Sequence, residues 1–264
     1  MKLISFNIGV KIDNSASVAD FILQQKPDIV AFQEIIQHFD ESVLEMYQSK
    51  AHIEERIGHW FPHKFFGPLW ICDAMRKHGK MHRDFHGLVE QGNEVLSRFP
   101  FVSGTNEFFY KDYALKQEWA DFHTEDHPRA VQIVEMSIEG RSLQILNLHG
   151  CYSRDKRDSD RTLDQSRYVL EAAKRKNLPT IIVGDFNLFP NTESIKLINQ
   201  DYRNLIKEFG VPSTRPTFDD GTDTGDNVVG YIFTNDLIKV HRFDAIKTQI
   251  SDHFPLILEF DLVV

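Results

Sequence analysis

Five apolar runs in this 264-residue chain each carry a chemically capable polar side chain at one end. KLISFN stops at Asn7 and DIVAFQE at Glu34. QILNLH stops at His149, and IIVGDFN delivers Asp185 and Asn187. ISDHFPLILEF begins with Asp252 and His253. A hydrophobic strand holds a terminal polar residue rigidly at the rim of a sheet, which is where a site is best built. A chain with five such runs must bring several strand ends to one edge or leave them all as ordinary loop caps. For any one residue alone, loop capping is the plainer reading.

The periodicity supports sheets with helices outside them. Residues 2–10 alternate as a strand ending near Gly9. Residues 15–26 place Val18, Phe21 and Ile22 on one helical face, with Ser15 or Ser17 as cap and Pro27 as stop. Residues 28–33 form a buried strand, completing a strand–helix–strand unit. Further strands are expected at 94–102, 131–138, 143–149, 179–183, 228–233 and 255–262. Helices are expected at 38–58, 161–176 and 192–207, with an irregular stretch over about 59–91. Strands outnumber helices and come partly in hairpin-like succession, so two packed sheets explain the pattern better than one parallel sheet. No repeat or linker interrupts the chain, and a single domain over 1–264 is expected, with a His- and aromatic-rich insertion at about 52–91.

Composition narrows the function classes. Hydrophobic residues make up 41% and charged residues 26%, enough apolar material for a sizeable core. Thirty Lys and Arg against 39 Asp and Glu leave a formal charge of −9, which argues against a broad basic face that clamps nucleic acid by counterion release. Cys72 and Cys151 are too few for a disulfide framework or a thiolate zinc site. No stretch approaches a membrane span, and the N-terminal segment lacks the form of a signal peptide. A soluble, cytoplasmic protein is the expectation.

The residue types at the strand ends suggest a reaction. Carboxylate and amide oxygens suit a hard cation such as Mg²⁺, which takes one or two carboxylates and keeps several waters. Glu34 is the best candidate ligand. Histidines beside acids hold a phosphoryl oxygen or move a proton. Metal-assisted attack of water on phosphorus needs a cation, a base and donors for the developing charge.

The blocks FNIG (6–9), FQEI (32–35), NLHG (147–150), GDFN (184–187) and SDHFPL (251–256) resemble, in order and spacing, those of the endonuclease/exonuclease/phosphatase superfamily. The resemblance implies an α+β fold, a four-layer α/β/β/α sandwich of two mixed β-sheets flanked by helices, with the site at the open edge. It implies that Glu34 binds Mg²⁺ or Mn²⁺ with Asn7 and Asp252 beside it. Asp185 would orient or deprotonate the attacking water, Asn187 would hold a phosphate oxygen, and His253 and His149 would stabilise the developing charge. GNEVLSRFPF (92–101) matches a further block, with Asn93 toward the phosphate and Glu94 as a weaker candidate. Arg129 in PRAVQIVEM either reaches the site or pairs with an acid. Thr214 and Arg215 read as loop structure, although an arginine near phosphate is useful for bidentate contact. The implied activity is a Mg²⁺ phosphodiesterase, with nuclease action one form of it. The substrate class spans nucleic acid, nucleotide, phospholipid and sugar phosphate. The alternative is a weakened or non-catalytic descendant that binds a phosphorylated ligand or a protein partner.

One departure motivates that alternative. Family members carry an Asp about twenty residues before SDH that orients the last histidine, as an outer carboxylate does for an imidazole. Here VVGYIFTND places Gly230 at that position, and Asp226 lies four residues earlier. Of the remaining features, His52, His59, His63, His78, His82 and His86 lack the spacing of a defined zinc site apart from the 78/82 and 82/86 pairs. Trp60, Phe61, Phe65, Phe66 and Trp70 fit aromatic packing or a substrate groove. The loop SRDKRDSDR (153–161) reads as solvated, within reach of an anionic substrate.

Overall fold

Strict alternation along the first strand decides which residues face the site. The computed structural model describes residues 1–9, 15–40, 42–73, 87–116, 126–216 and 227–263. In chain order the elements are β1 (Lys2–Asn7), α1 (Ser15–Gln25), β2 (Ile29–His38), a 3-10 turn (Glu45–Tyr47), α2 (Ser49–Ile57), β3 (His63–Asp73), β4 (Leu88–Ser97), β5 (Phe101–Tyr110) and β6 (Ala114–Lys116). There follow β7 (Arg129–Ile138), β8 (Arg141–His149), α3 (Asp160–Lys174), β9 (Thr180–Asp185), α4 (Glu193–Asn199), β10 (Arg203–Asn204), α5 (Leu205–Glu208), β11 (Gly230–Thr234), β12 (Ile238–Ala245) and β13 (Leu256–Leu262). They form two mixed sheets, β12-β13-β1-β2-β4-β3-β6 and β10-β11-β9-β8-β7-β5.

Ile4 and Phe6 of β1 pack with Val18, Ile22, Ile53 and Ile57 of α1 and α2, while Leu3 joins the core that contains both sheets and α3. Odd positions of β1 therefore look between the sheets and even positions look out at helices. The result is four layers, with α1 and α2 outside the first sheet and α3, α4 and α5 outside the second.

Each sheet has one parallel pair at its heart. β1 runs parallel to β2 across α1, and β8 runs parallel to β9 across α3. Parallel neighbours end at the same edge, so Asn7 pairs in register with Gln33, and His149 with Asp185. A buried amide ladder locks the two edges together. Gln33 Nε2 donates to Asn147 Oδ1 at 2.7 Å, and Asn147 Nδ2 donates to Gln132 Oε1 and to Phe32 O, each at 3.0 Å. Gln132 Nε2 donates in turn to Phe65 O at 2.7 Å. Buried amides satisfied on both sides fix one relative placement of the sheets, since any slip leaves them unpaired.

Several elements depart from expectation. The strand expected over 28–33 runs on to His38, where a helix is expected to begin, because Ile36 and His38 pair with Gln91 and Val89 of β4. The helix expected over 38–58 shrinks to the 3-10 turn and α2, and Phe39 is left exposed. The stretch taken as an irregular insertion contains β3, a full strand paired with β4 from His63 to Asp73. Its Phe61 and Trp70 are buried core and line no groove. The helix over 192–207 is two, α4 and α5, separated by β10, with Asn204 capping the second through Lys207 N. β12, an edge strand whose sequence alternates weakly, was not anticipated. No described helix is long and apolar enough to cross a membrane.

Candidate active site

The rim is assembled from the ends of β1, β2, β8 and β9 and the turn before β13. Alternation alone would turn Glu34 toward the helices. A bulge between Phe32 and Ile35 of β2 adds a residue, and Glu34 sits there in the left-handed region at φ 62°. Such a conformation is costly for a residue with a side chain and is retained where it aims a group. It swings the carboxylate onto Asn7, whose Nδ2 donates to Glu34 Oε1 and to Asp185 Oδ2, both at 3.1 Å. Asn7 Oδ1 accepts from the Gly9 amide at 3.0 Å, so this side chain braces two carboxylates and turns its own oxygen away from them.

Two glycines in the blocks permit the close approach. A Cβ on Gly184, at φ +139°, would lie 1.9 Å from Leu148 O, and one on Gly150 would lie 2.5 Å from Phe186 O. Asp185 and His149 are thereby set side by side. His149 Nε2 lies 3.7 Å from both Glu34 Oε1 and Asp185 Oδ2, and His253 Nε2 lies 3.5 Å from Asp185 Oδ2. Ser251, ahead of His253, donates to Asn7 O at 2.8 Å and accepts from His253 N at 3.1 Å, which ties the last block to β1. Asn187, also left-handed at φ 56°, donates its backbone N–H to Asp185 Oδ1 at 2.8 Å.

Burial and charge set the protonation states. Burial raises the Glu34 carboxyl, Asp252 and Asp185 raise it further against the Asn7 hydrogen bond, and it reaches about 7. Burial also pushes Asp185 up, but His253, His149, Lys156 and the Asn187 amide outweigh it and bring it to about 2. Burial lowers His149 well below the usual imidazole value, with Arg129 adding to the effect, and burial lowers His253 against the pull of Asp185 and Asp252. Both rings are thus neutral at pH 7, and their approaches to the carboxylates are polar contacts between a ring nitrogen and an anion.

Asn7, Glu34, His149, Asp185, Asn187 and His253 all meet at this rim. Asp252 flanks it, half exposed and braced by Arg215, whose Nη2 lies 3.3 Å from Asp252 Oδ2 and whose Nε donates to Asp252 O. Arg129 is buried with Nε and Nη1 unpartnered, and the nearby charges that act on it include Glu34 and Asp185. Among the described residues no acid lies within ion-pair distance of it. Asn93 is fully buried with both amide atoms unpartnered, one position along β4 from Val95 on the inner alternation.

Glu94 is a correction. It lies on the outer alternation with Leu96, beneath α2, where Lys50 Nζ approaches its Oε1 to 3.7 Å. Thr214 has a structural part. Its Oγ1 accepts from both Val229 N and Gly230 N at 3.0 Å, beside the place a side chain at Gly230 would fill. Gly230 pairs with Asp185, and no carboxylate among the described residues takes the family Asp's part; Asp226 lies outside those residues, as do His78, His82 and His86. His52, His59 and His63 are dispersed, with His52 near Ser15 and His63 against Phe101. Among the described residues no three His, Cys, Asp or Glu side chains converge to cage an ion.

The family model described as Endonuclease/Exonuclease/phosphatase family matches residues 4–253. The chain belongs to the endonuclease/exonuclease/phosphatase family. Membership places it among phosphoesterases in general. Solved structures agree on the fold. A Beutenbergia cavernae endonuclease/exonuclease/phosphatase superposes with a TM-score of 0.77 at 16% identity, covering 100% of this chain and 72% of that one. A Bacteroides thetaiotaomicron mannosyl-6-phosphatase gives 0.66 at 16% identity, covering 99% and 100%. D. rerio TDP2 complexed with single strand DNA product gives 0.68 at 14%, covering 99% and 98%. No curated protein matches.

Family membership makes a divalent cation the expected cofactor, and the donor set fits one. Asn7 bridges the carboxylates of Glu34 and Asp185, and burial first, then the charges of Asp252 and Asp185, holds Glu34 at about 7. A hard cation that takes one or two oxygens and keeps its waters suits such an edge. The residues that sequence reading missed are Gln33, Gln132 and Asn147. A polar residue at an inner position of an otherwise apolar strand was their available signal.

Proposed function

We propose that this chain is a Mg²⁺- or Mn²⁺-dependent phosphodiesterase acting as one unit, with Glu34 holding the ion and Asp252 beside it. The bound cation supplies positive charge to the phosphoryl oxygens. Asp185, ionised at neutral pH and held by Asn7 and the Asn187 amide, accepts the proton of the attacking water. His253 and His149, neutral at pH 7, offer ring N–H groups to charge developing on phosphorus oxygens. Arg129 and Asn93 bring unpartnered buried donors to the same side. Asn7 is a positioning residue for the two carboxylates. The observation that carries the reading is the meeting of Glu34 and Asp185 on Asn7, and of His149 and His253 on Asp185, from segments far apart in sequence. The structural neighbours, among them a mannosyl-6-phosphatase and TDP2 complexed with single strand DNA product, leave the leaving group open.

The test is hydrolysis of bis(p-nitrophenyl) phosphate with Mg²⁺ or Mn²⁺, with EDTA, and by Glu34→Ala. Turnover that falls at least about 100-fold in both controls supports the reading, on the scale of losing one preorganised charge-stabilising group. Absence of metal-dependent turnover on this compound and on a panel of natural phosphoesters sinks it and favours the binding-protein alternative, which Gly230 motivates.

A further inference from the structure

The loop between β8 and α3, read from sequence as solvated, carries one lysine folded beneath it. Lys156 is 8% exposed and left-handed at φ 55°. Its N–H donates to Ser153 O at 3.2 Å and its carbonyl accepts from Phe189 N at 3.0 Å, so the turn is held from both sides. The ammonium lies 3.8 Å from the Tyr152 ring centroid, and Nζ donates to Asn187 Oδ1 at 2.6 Å. Asn187 Nδ2 donates to Gly150 O at 3.3 Å. Both ends of the Asn187 amide are therefore engaged, and its oxygen is spent on Lys156.

A buried ammonium is costly unless its donors find acceptors, and this one has three donors. One amide oxygen and a ring face satisfy it in part, and no carboxylate of the described residues lies within ion-pair distance. Arg129, on which the charge of Asp185 also acts, is likewise buried with unpartnered donors. Two buried cations with donors to spare, both within electrostatic reach of Asp185, make an anion site. We infer that Lys156 is a substrate-contacting cation that takes a phosphoryl oxygen, and that Asn187 is a positioning residue for it.

The inference rests on the phosphoesterase reading but can be separated from it by binding. Burial lowers the Lys156 ammonium to about 8; Asp185 and Glu34 raise it, while Arg215 and Arg129 lower it further. Lys156 is charged at pH 7 and loses its proton above about 8, so phosphate affinity in the wild-type protein should fall across that point.

The experiment uses the full chain with Mg²⁺, inorganic phosphate as probe in calorimetry, and both bis(p-nitrophenyl) phosphate and p-nitrophenyl phosphate as substrates, from pH 6 to 10. Lys156→Met should weaken phosphate about 10-fold and lower kcat/KM about 10- to 100-fold, as for a hydrogen bond to a charged group. Lys156→Arg should restore most of both and move the alkaline fall upward. If Lys156→Met unfolds, the Lys156→Arg profile decides alone: an alkaline fall that stays in place overturns the inference. A folded Lys156→Met with unchanged phosphate affinity also overturns it, while the hydrolase reading stands if turnover persists. Phosphate binding that depends on Lys156 in a protein without turnover supports the assignment and sinks the hydrolase reading.

Discussion

Gly184→Ala tests whether the rim depends on the spacing of β8 and β9. A Cβ at this position would sit 1.9 Å from Leu148 O with the backbone at φ +139°. Real Cβ atoms essentially never come under 3.0 Å, so the strands must part by about 1 Å or more, and the obstacle is main chain that has no rotamer to escape into. The backbone conformation costs roughly 1–3 kcal/mol for an L side chain. Forced overpacking adds roughly 1–3 kcal/mol. At about 2–4 °C per kcal/mol for a chain near this size, Tm should fall by roughly 5–20 °C.

Gly140→Ala is the control. Gly140 also has positive φ, +82°, but nothing lies within 4 Å of its would-be Cβ, so it pays only the backbone part. Thermal melts of both variants under one buffer separate the steric contribution from the conformational one. The same ~1 Å parting displaces Asp185 from His149, its register partner, and a displacement of that size costs about 100-fold in rate. Gly184→Ala melting within 2 °C of Gly140→Ala, or retaining full kcat/KM, would refute the argument that a glycine contact sets the site.

Three other outcomes are expected. Glu94→Gln, which keeps shape beneath α2, should leave kcat/KM within about 2-fold, as for a residue outside the reacting constellation; a loss of 100-fold would return Glu94 to the site. A Cβ at Gly230 would meet Leu256 Cδ1 and Thr214 Oγ1 at 3.6 Å and Thr214 Cβ at 3.7 Å, all ordinary contacts, so Gly230→Asp should fold, and a carboxylate there should raise kcat severalfold by orienting His253, read by steady-state kinetics; an unchanged or lower rate counts against that account. His149 and His253 should take up protons at lower pH than an ordinary imidazole in NMR titration of the protein, because burial depresses both. The unfolded chain then binds those protons more readily, so stability rises with pH through about 6.5 and is lost below it; ordinary titration of both rings would overturn this.

How much was legible follows from which signals are local. A polar residue ending an apolar strand is visible in one dimension, so Asn7, Glu34, His149, Asp185 and His253 stood out before any fold was known. Their convergence is a consequence of parallel pairing, which the strand–helix–strand unit announced for β1 and β2. Where a strand was decided by its neighbour, the local pattern misled. The aromatic run of β3 alternates weakly, and only pairing with β4 makes it a strand. β2 likewise runs past the strand expected over 28–33 because its end pairs with β4.

Glu34 and Lys156 mark the deeper limit. Alternation predicts the wrong face for Glu34, and one bulged residue in the left-handed region reverses it. Mixed charge predicts solvent for Lys156, and one left-handed residue turns it inward. In both cases the backbone adopts a conformation its side chain disfavours, at a cost of order 1–3 kcal/mol, and in both the side chain so displaced interacts electrostatically with Asp185. Local rules fail where the surrounding fold over-determines the chain, and that is where aiming a functional group offsets the strain. The other left-handed residue at the rim, Asn187, joins Lys156 to Asp185. Replacing Asn187 by Gly would relieve its strain and keep the backbone N–H to Asp185 while removing the side-chain contacts to Lys156 and Gly150, so a loss of phosphate affinity with Asp185 still held is the expected signature.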